Sequence, residues 1–140
     1  MGRSYLTRRV TFAAAHRYRR LDWSDDQNQR VFGACSRENY HGHSYMCDVT
    51  VTGEIDPATG MLIDLALLDR VLTAEVRDRF DHRNINLDVP EFADGKLVPT
   101  GEELARFIFD RVQSALAGAA QVQEVIVAED STLRAIYRAE

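Results

Sequence analysis

The sequence predicts an α+β domain in which an antiparallel sheet carries two helices on one face. Three observations predict it. Residues 5–14 and 45–54 alternate apolar and polar side chains with a period of two, the mark of half-buried strands. Residues 65–80 and 104–116 repeat apolar side chains at helical spacing, each giving one stripe. Two short alternating segments, 122–129 and 133–138, follow. The order strands, helix, helix, strands packs as one sheet layer against one helical layer.

The first strand sets Leu6, Arg8, Val10 and Phe12 against Tyr5, Thr7, Arg9 and Thr11. Residues 17–34 are polar, aromatic and irregular, and read as a long loop or a hairpin extension. The second strand ends at the turn Asp56-Pro57-Ala58-Thr59-Gly60. Asp64 can cap the first helix, whose stripe is Leu65, Leu68, Leu72, Val76 and Phe80. Residues 82–98 are again irregular. Thr100-Gly101-Glu102-Glu103 forms a capping box, in which Thr100 and Glu103 each satisfy a free backbone donor. Leu104, Ile108, Val112 and Leu116 supply the second stripe, and a turn at Asp130-Ser131 separates the last two strands.

A chain of 140 residues with 45% hydrophobic side chains fits one domain over residues 1–140, and no Pro-, Gly- or Ser-rich stretch divides it. The longest apolar runs fall far short of the roughly 20 residues a membrane span needs. Met1-Gly2-Arg3-Ser4-Tyr5 leads into a strand pattern without a signal-peptide core, so a cytoplasmic protein is expected, with no membrane partner. The net charge of −5 argues against nucleic acid as a partner. Of 17 basic residues only Lys96 is lysine, which suits bidentate phosphate or carboxylate contacts and fits genome composition equally well. Cys47 falls on the alternating set Tyr45, Cys47, Val49, Val51 and reads as a small buried hydrophobe, with no disulfide expected.

The chemistry is concentrated in Cys35-Ser36-Arg37-Glu38-Asn39-Tyr40-His41-Gly42-His43. Imidazoles one residue apart on an extended segment point to the same side and can chelate one ion. Gly42 between them has no side chain to crowd the metal. His16 would complete a three-nitrogen zinc set with one position open, the arrangement of catalytic zinc. Were Cys35 a fourth ligand, the site would be closed and structural. The fourth histidine, His82, follows Asp81.

These features, with the element order, resemble one family over nearly the whole chain: the 6-pyruvoyl-tetrahydropterin synthases and their bacterial relatives, the 6-carboxy-tetrahydropterin synthases. The resemblance runs through Phe12-Ala13-Ala14-Ala15-His16, residues 35–45, Gly53-Glu54-Ile55-Asp56-Pro57-Ala58-Thr59-Gly60-Met61, Phe80-Asp81-His82-Arg83-Asn84-Ile85-Asn86, Pro99-Thr100-Gly101-Glu102 and Glu129. Any one segment is weak, and six in order are specific. The resemblance implies the tunnelling fold (T-fold), whose small subunits form trimeric barrels that pair into homohexamers.

It also implies roles. His16, His41 and His43 match the zinc ligands, and Cys35 matches the catalytic proton acceptor. Asp81 and His82 match a pair that activates the thiol from a neighbouring subunit. Glu129 matches the carboxylate that anchors the pterin, and Thr100 lies at a further pterin contact. The implied substrate is 7,8-dihydroneopterin triphosphate, with loss of triphosphate and a pyruvoyl side chain. The alternative product is the 6-carboxy pterin of queuosine and 7-deazaguanine synthesis. Five residues separate Cys35 from His41, a spacing similar to the pyruvoyl-forming branch. Arg17, Arg19, Arg20 and Arg37 are candidates for phosphate contacts outside the expected site. Glu103 departs from the family, which often has asparagine there.

Two readings from other classes are weaker. A cupin metalloenzyme also uses His-x-His on a strand, but it needs a glutamate where Cys47 and Asp48 stand. A zinc-stabilised binding module would leave Asp81, His82 and Glu129 without roles.

Overall fold

The computed structural model describes residues 2–140. Five strands form one sheet in the order β3-β1-β2-β4-β5. They are β1 (Ser4–His16), β2 (His41–Gly53), β3 (Arg83–Asn84), β4 (Gln121–Ala128) and β5 (Arg134–Arg138). All neighbours are antiparallel except β1 and β3, which pair in parallel through Ala14↔Arg83 and Ala15↔Asn84. Phe12, Ala14, Tyr45, Cys47, Val49, Val51, Val122, Val125 and Val127 form the inner face of the sheet and are buried. The reverse face carries polar residues such as Thr7 and Thr50, joined through their hydroxyls at 2.7 Å. Period-two patterning fixes which face is which, because successive strand side chains alternate.

The helical layer is α2 (Leu65–Leu72), continued by a π turn at Thr73–Arg77 and α3 (Asp78–Phe80), together with α5 (Gly101–Leu116). Asp64 caps α2 through the Ala66 N–H at 3.0 Å, as its sequence position predicts. Leu68, Leu72, Val76 and Phe80 are buried, whereas Leu65 lies exposed on the first turn. Leu104, Ile108, Val112 and Leu116 are buried against β4 and β5. Gly101 is required where α5 meets the sheet, since a Cβ there would stand 3.2 Å from the Ala135 Cβ.

Only half of the expected capping box forms. Thr100 Oγ1 accepts the Glu103 N–H at 3.1 Å, but the Glu103 carboxylate turns to Arg106 at 2.7 Å. The Thr100 N–H is already bonded to the Val98 carbonyl at 2.8 Å, so it has no need of the carboxylate.

The region expected to be irregular over residues 17–34 contains a helix, α1 (Asp25–Phe32). Ser24 caps it through the Gln27 N–H at 3.1 Å, Asp25 and Asp26 occupy its first turn, and Gly33 ends it at φ 59°. Its anchor is Asn28, which is buried, accepts the Arg20 N–H and donates to the carbonyls of Arg20 and Ser24. Residues 82–98 likewise hold β3, the short α4 (Ile85–Asp88) and a 3-10 turn at Pro90–Phe92. Among the described residues, no helix is long and apolar enough to cross a membrane.

Candidate active site

The strand register builds the site. β1 and β2 pair so that His16 faces His41 and Ala14 faces His43. His41, His43 and Tyr45 share one side of β2, the helix-covered side, and His16 enters the same space from β1. The ring centroids of the three histidines lie 4.7–5.1 Å apart. One nitrogen from each lies within 4.8 Å of the others. Gly42 does not face this cluster: a Cβ there would lie 3.5 Å from the Ala14 carbonyl oxygen, an ordinary contact on the opposite side. Contrary to expectation, Gly42 therefore does not keep the space around the histidines uncrowded.

Beyond β1 the chain is held by a clasp. The Arg17 N–H donates to Asn86 Oδ1 at 2.9 Å, and Asn86 Nδ2 donates to the Arg17 carbonyl at 3.0 Å. This pair lies two residues beyond the last β1–β3 ladder pair and ties down the backbone next to His16. His16 is fully buried, and its Nδ1 lies 2.8 Å from the Pro99 carbonyl oxygen. That carbonyl fixes the Nδ1–H tautomer and leaves Nε2 as an acceptor. The Tyr45 hydroxyl lies 3.1 Å from the same Nδ1. Burial, with His41 next, pushes the His16 pKa down to about 4, so the ring is neutral at neutral pH. Burial also lowers that of His41. His43 Nε2 is a buried nitrogen with no hydrogen-bond partner. A neutral His16, three imidazole nitrogens converging on one space and the orphaned Nε2 of His43 fit a divalent, nitrogen-preferring ion.

Cys35 sits in a 3-10 turn, Gly33–Ser36, after α1, and its carbonyl accepts the Tyr18 N–H at 2.7 Å. It is outside the group of three histidines whose nitrogens converge. Burial, then the charge of Glu129, raises the thiol's pKa. A cation is needed to make it a thiolate at neutral pH.

Glu129 follows β4, where Asp130 closes the turn to β5 by accepting the N–H groups of Thr132 and Leu133. Its side chain is 11% exposed, unlike an ordinary solvated strand-end acid. Oε1 accepts the Tyr18 hydroxyl at 2.9 Å, and Oε2 stands 3.8 Å from His43 Nε2. A cavity of about 50 Å³ lies between Glu129, Tyr18, Gly101, Glu102 and Ala135. Thr100 is adjacent in sequence, with its hydroxyl capping α5.

Asp81 and His82 stand apart from this cluster. Asp81 Oδ1 accepts the Ala13 N–H at 2.9 Å, and that bond is the main cause of its lowered pKa. His82 adopts φ 59°, its N–H donates to the Ala13 carbonyl at 2.7 Å, and its Nδ1 lies 3.1 Å from Asp81 Oδ1. The His82 ring is 85% exposed, and no hydrogen bond joins it to Cys35 or to the three histidines among the described residues.

Sequence reasoning missed Tyr18, Tyr45 and the Pro99 carbonyl. Tyr45 was legible, because it continues the period-two set from His41 and His43. Of the arginine candidates, Arg19 and Arg20 are paired with Asp25 and Asp22 at 2.9 and 2.7 Å. Arg17 instead lays its guanidinium over the Tyr40 ring, 5.2 Å from the centroid.

The family model of 6-pyruvoyl tetrahydropterin synthase matches residues 5–140. The chain belongs to this family. It is 44% identical to the 6-pyruvoyl tetrahydrobiopterin synthase of Homo sapiens over 111 residues, covering 79% of this chain and 75% of the human one. It is 40% identical to that of Poecilia reticulata over 136 residues, covering 97% and 90%. A 6-carboxy-5,6,7,8-tetrahydropterin synthase of Bacillus subtilis is more distant, at 33% over 111 residues, covering 76% and 71%. The structure of Caenorhabditis elegans 6-pyruvoyl tetrahydropterin synthase superposes with a TM-score of 0.92 at 33% identity, covering 100% and 98%. This family's T-fold accounts for the sheet and helical layer described above.

Proposed function

We propose that this lyase-family protein is a zinc-dependent 6-pyruvoyl-tetrahydropterin synthase acting on 7,8-dihydroneopterin triphosphate. The observation that carries the reading is the convergence of His16, His41 and His43 on one space, with Cys35 nearby and Glu129 at its rim. The identities to pyruvoyl-forming synthases, above that to the carboxy-forming one, support the pyruvoyl product.

His16, His41 and His43 would hold the zinc, leaving a position open to substrate. A bound zinc ion would supply Lewis acidity to the substrate's side-chain hydroxyls. Cys35 takes the proton from a hydroxyl-bearing carbon, and Asp81 holds His82 in one tautomer to activate that thiol. Because the exposed His82 is unconnected to Cys35 within one chain, we assign it to the site of a neighbouring copy, in a homohexamer built as a dimer of trimers. Proton removal and return move the ring double bond into the side chain, and triphosphate leaves. Glu129 forms a forked pair with the pterin's ring N–H and exocyclic amine, and Thr100 adds a contact at the helix start.

The test is incubation of the purified, zinc-loaded protein with dihydroneopterin triphosphate, with products identified by mass. Formation of the pyruvoyl pterin with free triphosphate is expected. A carboxylated pterin would reassign the product, and unchanged substrate would overturn the reading.

A further inference from the structure

Tyr18 touches three parts of the site: the Cys35 turn, His16 and Glu129. Its N–H donates to the Cys35 carbonyl at 2.7 Å. Its ring stands edge-on to His16, with centroids 5.0 Å apart. The ring also packs edge-on to Phe32 at 5.8 Å, and Phe32 stacks on Trp23 at 5.7 Å. The aromatic body is therefore wedged between the metal-ligand cluster and α1. Its hydroxyl donates to Glu129 Oε1 at 2.9 Å.

That hydroxyl is the one side-chain group hydrogen-bonded to the Glu129 carboxylate among the described residues. Glu129 follows the end of a strand, and its other oxygen stands 3.8 Å from the unpartnered Nε2 of His43. A carboxylate so placed has two futures. Held back, it can face a pterin; released, it can swing toward His43. An ionised carboxylate offers about four acceptor sites, so one bond from Tyr18 leaves enough for a forked contact. A phenol is a hydrogen-bond donor at neutral pH, so the Tyr18 hydroxyl can donate to the carboxylate oxygen.

We infer that Tyr18 is a positioning residue of the pterin site, holding the Glu129 carboxylate toward the substrate and away from His43 while tying it to the Cys35 turn. The inference rests on the pterin-anchor reading of Glu129.

Tyr18→Phe tests it, because the ring packing stays and only the hydroxyl is lost. The probe is 7,8-dihydroneopterin, which has the ring and no phosphates, with binding measured on zinc-loaded protein. Affinity should fall about tenfold, the scale of one charge-assisted hydrogen bond. In turnover of the triphosphate, KM should rise by a similar factor, with a smaller change in kcat. In the Glu129→Gln background, adding Tyr18→Phe should produce little further loss, since its partner carboxylate is already gone. A merely structural tyrosine would give additive losses in the double variant, which would overturn the inference, as would equal dihydroneopterin binding by Tyr18→Phe and the parent. Failure of the parent itself to bind dihydroneopterin would instead overturn the pterin reading, and this inference with it.

Discussion

Two histidine-bearing regions of this molecule are built in opposite ways. His16, His41 and His43 are gathered by the β1–β2 register into a site that one chain completes by itself. Asp81 and His82 lie at the β1–β3 edge, bonded to the backbone of Ala13, with the imidazole turned out to solvent. His16 is 0% exposed and the His82 side chain 85%. Burial keeps His16 neutral and lowers the pKa of His41, which suits both to a metal. Exposure leaves the second available to another molecule. Under the proposed function the monomer would hold half a site, with the metal ligands and Cys35 internal and the Asp81–His82 pair presented outward.

The largest effects are expected at the three histidines and the thiol. His41→Ala should lose the metal, because two imidazoles make a poor site. Cys35→Ala should retain it and lose turnover by roughly two to four decades, the range for a proton-transfer residue. Metal analysis beside activity checks both, and loss of zinc from Cys35→Ala would show that the thiol is a ligand and the site closed.

Mixing subunits probes the outward half. Cys35→Ala and His82→Ala homo-oligomers should each be inactive, yet randomly mixed oligomers should recover about one quarter of parental activity if each site joins two chains. Verified mixed oligomers with no recovery would place both groups in one chain's site.

Glu129 stands at the rim of the internal half. Glu129→Gln replaces one acceptor oxygen with a donor facing the pterin's own N–H groups. The mismatch costs roughly 1–3 kcal/mol, or about one to two decades in affinity. Zinc content should not change, and parental binding and turnover would remove the pterin-anchor role.

The smallest effect is expected at Gly42. Its missing Cβ faces Ala14 rather than the histidines, so Gly42→Ala should leave zinc stoichiometry at the parental value. A loss of metal would mean that the β1–β2 register itself had shifted.

By itself the sequence determined the two layers, the buried faces of β1, β2, α2 and α5, and the three imidazoles that could meet one ion. The layers, the faces and the His41–His43 pair follow from periods of 2.0 and 3.6, which are local properties of the backbone, whereas His16, 25 positions before His41, entered only as the third imidazole of a zinc set. The sequence did not reveal α1 within residues 17–34, although Ser24 followed by Asp25 and Asp26 is a helix start. The polar composition concealed that signal, and the helix depends on the buried amide of Asn28 for its place. The roles of Asn86, the Pro99 carbonyl and Tyr18 were decided only by the tertiary structure. Each acts on a residue at least 69 positions away, across Arg17–Asn86, His16–Pro99 and Tyr18–Glu129. No periodicity reports such pairs, because the folded sheet and its packed loops bring their atoms within hydrogen-bonding distance.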